Sequence, residues 1–104
     1  MNAKEELLSI LVKNNLKIKC AFIQYSLGWD MDRSKVLLKI NYSERDYNDF
    51  IKSLDFEYDN GFGGQEVFGL IWLEDDTWLS RGEYDGSEWW DHNILPTIPI
   101  ECIN

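Results

Sequence analysis

The chain has 104 residues, 44% hydrophobic and 14% aromatic. That is enough for one hydrophobic core in one domain spanning residues 1–104, and too apolar for a disordered polymer. The formal net charge of −9 is lopsided: residues 1–54 carry nine Lys and Arg against seven Asp and Glu, whereas residues 55–104 carry twelve acids against a single base, Arg81. A polyanion of this kind cannot neutralise phosphates or release their counterions. Its composition therefore argues against direct nucleic-acid or anionic-membrane binding and for a basic protein surface as partner.

Asn2 followed by Glu5 makes an N-cap signal, and Leu7, Leu8, Ile10, Leu11 and Val12 follow at helical spacing, which predicts a helix over residues 3–13. Leu16 to Tyr25 is rich in strand formers, with Ile18, Cys20 and Phe22 assigned to one face and Ala21, Ile23 and Tyr25 to the other. Ser26 to Ser34 is polar and reads as a loop. Lys35 to Tyr42 alternates, with Val36, Leu38, Ile40 and Tyr42 facing in, and should pair with the preceding strand as a hairpin. Ser43 and Asp46 form a second capping signal ahead of Tyr47, Phe50, Ile51 and Leu54, a helix over residues 44–53.

From Asp55 onward the pattern is that of a β-meander. A short strand is expected over Phe56–Asp59. Turn glycines at Gly61, Gly63 and Gly64 precede a strongly apolar strand over Glu66–Leu73. Glu74-Asp75-Asp76 turns the chain into Thr77–Tyr84, and Asp85-Gly86 is a two-residue hairpin signal leading to Ser87–Asn93. Pro96 and Pro99 predict an extended surface tail. The order α-β-β-α-β-β-β-β defines an α+β fold: an antiparallel twisted sheet with two helices packed on one face and many aromatics on the other.

Period-two alternation requires Trp89 and Trp90 to point opposite ways, one into the core. No run of the chain approaches the length of a membrane span. The N-terminus lacks the cationic start and cleavage site of a signal peptide, which points to the cytoplasm of a bacterial host. Cys20 and Cys102 form no C-x-x-C pair, and with His92 as the single histidine no common zinc set assembles. Free, mostly buried thiols are expected, with no metal and no cofactor.

Candidate chemistry is sparse. His92 shares a strand face with Glu88 and Trp90, but no Ser or Cys is placed as a nucleophile beside it. Asp30-x-Asp32-x-Ser34 opens like a calcium loop, yet Lys35 stands where glycine is required and Asn41 where a bidentate Glu is required. Glu83 and Glu88 flank a hairpin at a scale that suits a glycosidase pair, as they do in almost any acidic hairpin. No phosphate loop, dinucleotide glycine pattern or nucleophile elbow is present, and no catalytic residue is assigned.

The stretch Y-D-N-G-F-G-G-Q-E-V-F-G-L-I-W-L-E-D-D-T-W-L-S-R-G-E-Y-D-G-S-E-W-W with its P-x-I-P tail, residues 58–99, resembles a group of small uncharacterised proteins of phages and prophages. That group reads D-G-T-W at the first hairpin, where this chain has Asp75-Asp76-Thr77-Trp78. The resemblance implies a setting and no mechanism.

The sequence thus predicts a non-enzymatic accessory protein of a phage or mobile element. It would bind a host protein, such as a defence or nucleic-acid-handling factor, through an acidic, aromatic surface of Glu74, Asp75, Asp76, Arg81, Glu83, Tyr84, Asp85, Glu88, Trp89 and Trp90. Binding hot spots are built from residues of these aromatic and arginine types. The alternatives are an immunity protein that plugs a toxin nuclease and a small enzyme or glycan-binding module. The oligomeric state is left open.

Overall fold

The computed structural model describes residues 1–27, 32–61 and 63–103. Helix α1 (Ala3–Lys13) starts where the Asn2 side chain accepts the Glu5 N–H at 3.0 Å, and it buries Ala3, Leu7 and Leu11, one residue per turn. Helix α2 (Glu44–Ser53) opens on a complete capping box: Ser43 Oγ accepts from the Asp46 N–H and Asp46 accepts from the Ser43 N–H, both at 3.0 Å. Phe50 and Leu54 face the core from this helix and its C-cap. Acids in the first turn and a lysine in the last turn of each helix complement its macrodipole.

Strands β1 (Ile18–Tyr25), β2 (Ser34–Leu38), β3 (Val67–Leu73), β4 (Trp78–Tyr84) and β5 (Ser87–Asn93) form one sheet in the order β2-β1-β3-β4-β5, with every neighbouring pair antiparallel. The α+β class read from the pattern holds. β1 and β2 form a hairpin; α2 then carries the chain over, so that β3 pairs with the opposite side of β1, and β3, β4 and β5 follow as a meander. One cluster of buried side chains unites Leu7 and Leu11 of α1, Phe50 and Leu54, and Ala21, Ile23, Val36, Leu38, Val67, Ile71, Leu73 and Leu79 of the sheet. Both helices therefore cover the same sheet face.

Several boundaries differ from the pattern-based expectation. The strand predicted over Phe56–Asp59 does not join the sheet. It pairs instead with the N-terminus, through Ala3 N–H to Phe56 O (2.9 Å), Tyr58 N–H to Met1 O (2.9 Å) and an isolated Asn2–Glu57 bridge. The second strand stops at Leu38 because Asn41 takes a left-handed φ of 64°, turning the chain toward α2; Ile40, expected to face inward, is exposed.

A register shift between Ile18 and Cys20 inserts a bulge. It returns Ile18 to the core side with Ala21 and Ile23, away from the face predicted for it with Cys20 and Phe22. Cys102, expected to be buried, is exposed; both thiols are free. Asp76, in the turn between β3 and β4, has φ 66°, the left-handed conformation that glycine adopts most easily.

Candidate functional site

Three features carry the chemistry: a buried ion cluster, an acidic pole and an open aromatic face. The cluster lies between α1 and the covered face of β4 and β5. Leu79 is core, so alternation puts Arg81 on the same side; Trp90 is core, so Glu88 joins it. Arg81, its side chain only 2% exposed, reaches Glu88 at 2.7 Å and Glu6 at 3.1 Å, donates to Tyr58 Oη at 3.0 Å, and lies over the Trp90 ring at 4.9 Å. Glu88 also accepts the backbone N–H groups of Glu66 (2.8 Å) and Val67 (3.0 Å), so both of its oxygens are occupied. Tyr58 in turn donates to Glu6 at 2.5 Å.

Burial, reinforced by the bond to Glu6, pushes the Tyr58 hydroxyl well above its ordinary value of 10.0. The unfolded chain would lose that proton near pH 10 while the folded chain keeps it. The stability this gives is therefore complete below the unfolded pKa and drains away as pH rises above it. Urea midpoints are expected to fall between about pH 10 and 12 more steeply in wild type than in Tyr58→Phe; parallel profiles would refute the linkage.

The acidic pole lies where β4 turns into β5. Ser87 bridges to Gly61, and the Glu88 N–H donates to Asn60 O at 2.9 Å, which holds the 59–66 loop against the start of β5. Asp59 and Glu66, themselves linked from the Asp59 N–H at 3.2 Å, thus join Glu83 and Asp85. Tyr84, between Glu83 and Asp85 in the chain, is 77% exposed and by alternation points to the helix-free side of this end. Beside it lies a wide, shallow hollow of 540 Å³ lined by Glu57, Asp59, Glu66, Leu27 and Tyr58. The N-terminal ammonium sits 3.4 Å from Glu57 in the same region.

The helix-free face is apolar. Its cross-strand rows run Leu37–Phe22–Leu70–Ser80–Asp91 and Cys20–Trp72–Trp78–Asn93. Phe22, Leu37, Leu70, Trp72 and Trp89 are each 38–51% exposed on it. Arg33 covers the Phe68 ring at 3.9 Å. Trp89 lies across Gly82, where a Cβ would come within 2.5 Å of its Nε1, and that nitrogen donates to Asp91 at 2.8 Å. By the observed register Phe68, Leu70 and Trp72 of β3 and Trp78 and Tyr84 of β4 share this face.

The ten residues predicted as one surface therefore separate. Glu83, Tyr84 and Asp85 are exposed at the pole, and Trp89 is exposed on the adjoining sheet face. Glu74, Asp75 and Asp76 are exposed but occupy the other end of β4, about 20 Å away at the usual rise per strand residue. Arg81, Glu88 and Trp90 are interior and cannot meet a partner in this conformation. Shared parity with Leu79 and Trp90 was the available signal for this. Asp59 and Glu66 were missed at the pole because loop closure, which brings them there, leaves no mark in a strand pattern.

His92 Nε2 lies 2.9 Å from Thr77 Oγ1, and Thr77 also bonds Asp75; Glu88 is committed elsewhere. The Thr77 hydroxyl, followed by its N–H, holds the Asp75 carboxyl below the usual range. Glu83 and Glu88 are direct cross-strand partners, but the first accepts the Gly86 N–H and the second is saturated by Arg81 and two amides. Among the described residues no group of three or more His, Cys, Asp or Glu is placed to hold a metal ion, and no helix is long and apolar enough to cross a membrane. Trp29 and Asp30, the latter the first position of the calcium-like run, lie outside the described residues.

The fold and these surfaces define a small α+β protein whose antiparallel sheet, among the described residues, carries helices on one face only. No protein-family model, no curated protein and no solved structure matches the chain.

Proposed function

We propose that this chain is a non-enzymatic interaction protein, an accessory factor of a phage or mobile element, that binds a protein partner bearing a basic surface. The observation that carries the reading is the pole: Asp59 and Glu66 of the 59–66 loop brought to Glu83 and Asp85 at the β4–β5 hairpin, with Tyr84 exposed on the other side of the same hairpin. An anionic rim speeds encounter with a cationic partner and fixes its orientation, and a protruding aromatic ring supplies apolar contact area at low conformational cost. The resemblance of residues 58–99 to small phage proteins supports the setting, since this stretch builds the pole.

The test is capture by the immobilised full-length chain from a lysate of the cell that produces it. Glu83→Lys with Asp85→Lys, and separately Tyr84→Ser, should each weaken retention of the captured protein at least tenfold. Glu74→Lys with Asp75→Lys, at the distant turn, should leave it nearly unchanged, and added salt should weaken wild-type capture. Retention that survives both pole variants and high salt would remove the pole as the binding surface.

A further inference from the structure

Beyond β5 the chain continues as Ile94-Leu95-Pro96-Thr97-Ile98-Pro99-Ile100-Glu101-Cys102-Ile103. Its aliphatic side chains are not packed on the body: Ile94, Leu95, Ile98, Ile100 and Ile103 are 64–75% exposed. Pro99 has φ −70° and ψ 153°, a polyproline II geometry, and Pro96 restrains Leu95 to extended conformations. The radius of gyration of 15.4 Å exceeds the roughly 13 Å of a compact chain this long, as a projecting tail requires. An apolar P-x-x-P segment standing in water has no stabilising role in its own fold.

The same chain has a surface of the kind that binds such segments. Polyproline II ligands dock on exposed aromatic rings, their fixed prolines losing little entropy on binding. The open sheet face presents Phe22, Leu70, Trp72, Trp78 and Trp89, with a notch of 280 Å³ between Leu70, Trp72 and Trp78. This row ends at Asn93, which pairs with Trp78 and is the residue from which the tail departs.

Reach fits as well. The six residues 94–99, if extended at about 3.1 Å each, span about 19 Å, and the 3-10 turn Ile100–Cys102 adds about 6 Å; five strands about 4.8 Å apart are about 19 Å across. The tail carries one charged side chain, Glu101, and the β1–β2 side of the aromatic face carries the opposite charge in Lys19, Arg33 and Lys35.

We propose that the C-terminal tail of one copy lies across the aromatic sheet face of a second copy, and that the exchange is reciprocal, giving a two-fold symmetric dimer. The tail's aliphatic side chains stay exposed and do not pack on its own sheet face, so a second molecule is what covers both apolar surfaces at once. A two-fold relation satisfies both tails and both faces with one kind of contact. This dimer uses neither Tyr84 nor the carboxylates of the pole and stands independently of the function proposed above.

Sedimentation of the full-length protein tests it. Wild type should run as a dimer. Ile98→Asp, at an exposed tail position, and Trp72→Asp, with folding of both checked by circular dichroism, should each weaken dimerisation at least tenfold. Glu83→Lys with Asp85→Lys should leave the dimer unchanged. In a mixture of isotope-labelled and unlabelled wild-type chains, intermolecular nuclear Overhauser contacts should link the Ile98 and Ile100 methyl groups to the Trp72 and Trp78 rings. A wild-type monomer at the highest soluble concentration overturns the proposal. So does a dimer indifferent to Ile98→Asp, which would mean faces packed without tails, and so do tail-to-face contacts found only within one chain.

Discussion

Replacing Arg81 with Met is expected to destabilise the fold by about 3–5 kcal/mol, the usual cost of leaving a buried charge without its partner. Glu88 has a fully buried side chain and Glu6 is 13% exposed, and the single guanidinium neutralises both. Burial alone would make the Arg81 proton easier to lose, but the bonds to Tyr58, Glu6 and Glu88 outweigh it, and the group is held more firmly charged than a free arginine. Without it, Glu88 keeps two backbone amides but must remain ionised in an apolar setting or take up a proton.

A domain of this size has about 5–15 kcal/mol of stability in all, so the loss should be obvious in a urea midpoint. Glu6→Gln should cost far less, because water already reaches Glu6. Arg81→Met combined with Glu88→Gln should recover part of the single-variant loss, because it removes the orphaned charge. A midpoint for Arg81→Met within about 1 kcal/mol of wild type would show that Glu88 does not depend on its partner.

That cluster also shows where a strand pattern is informative and where it fails. Parity placed Trp89 and Trp90 on opposite faces, and the structure gives Trp90 to the core and Trp89 to the open side. The α+β class, both helices and the two hairpin turns of the meander were legible because local periodicity and turn chemistry agree there. Glu88 was misjudged because an acid beside two tryptophans was read by its charge, while its position two residues before Trp90 assigned it to the core face.

The Ile18 bulge was illegible for a different reason: one extra residue in a ladder depends on the partner strand, and β3 lies far away in sequence. The 59–66 loop likewise reaches the pole through single bonds such as Glu88 N–H to Asn60 O, which no spacing rule anticipates. Charge imbalance correctly marked the second half as acidic. It did not reveal that its acids divide between the two ends of β4 and the interior.

Gly69→Ala should be the other severe change, on the order of 3–5 kcal/mol from combined backbone strain and overpacking. Gly69 lies in β3 opposite Ile23, with φ 151°, and a Cβ there would sit 2.5 Å from Phe22 O and 2.9 Å from Ile23 Cα. Both obstacles are backbone atoms of β1, a strand pinned on one side by β2 and on the other by β3 itself. No side-chain rotation relieves the clash, so the two strands must separate just where Phe68 and Leu70 enter the open face.

Gly63→Ala provides the contrast: its φ is also positive, 88°, but a Cβ there meets nothing within 4 Å. That substitution should cost only about 1–2 kcal/mol, the strain of a side chain in a left-handed conformation. If the two variants unfold at the same urea concentration, conformational preference alone explains Gly69. If Gly69→Ala is much the weaker and also changes tryptophan fluorescence, the close approach of β1 and β3 is what fixes the aromatic face in place.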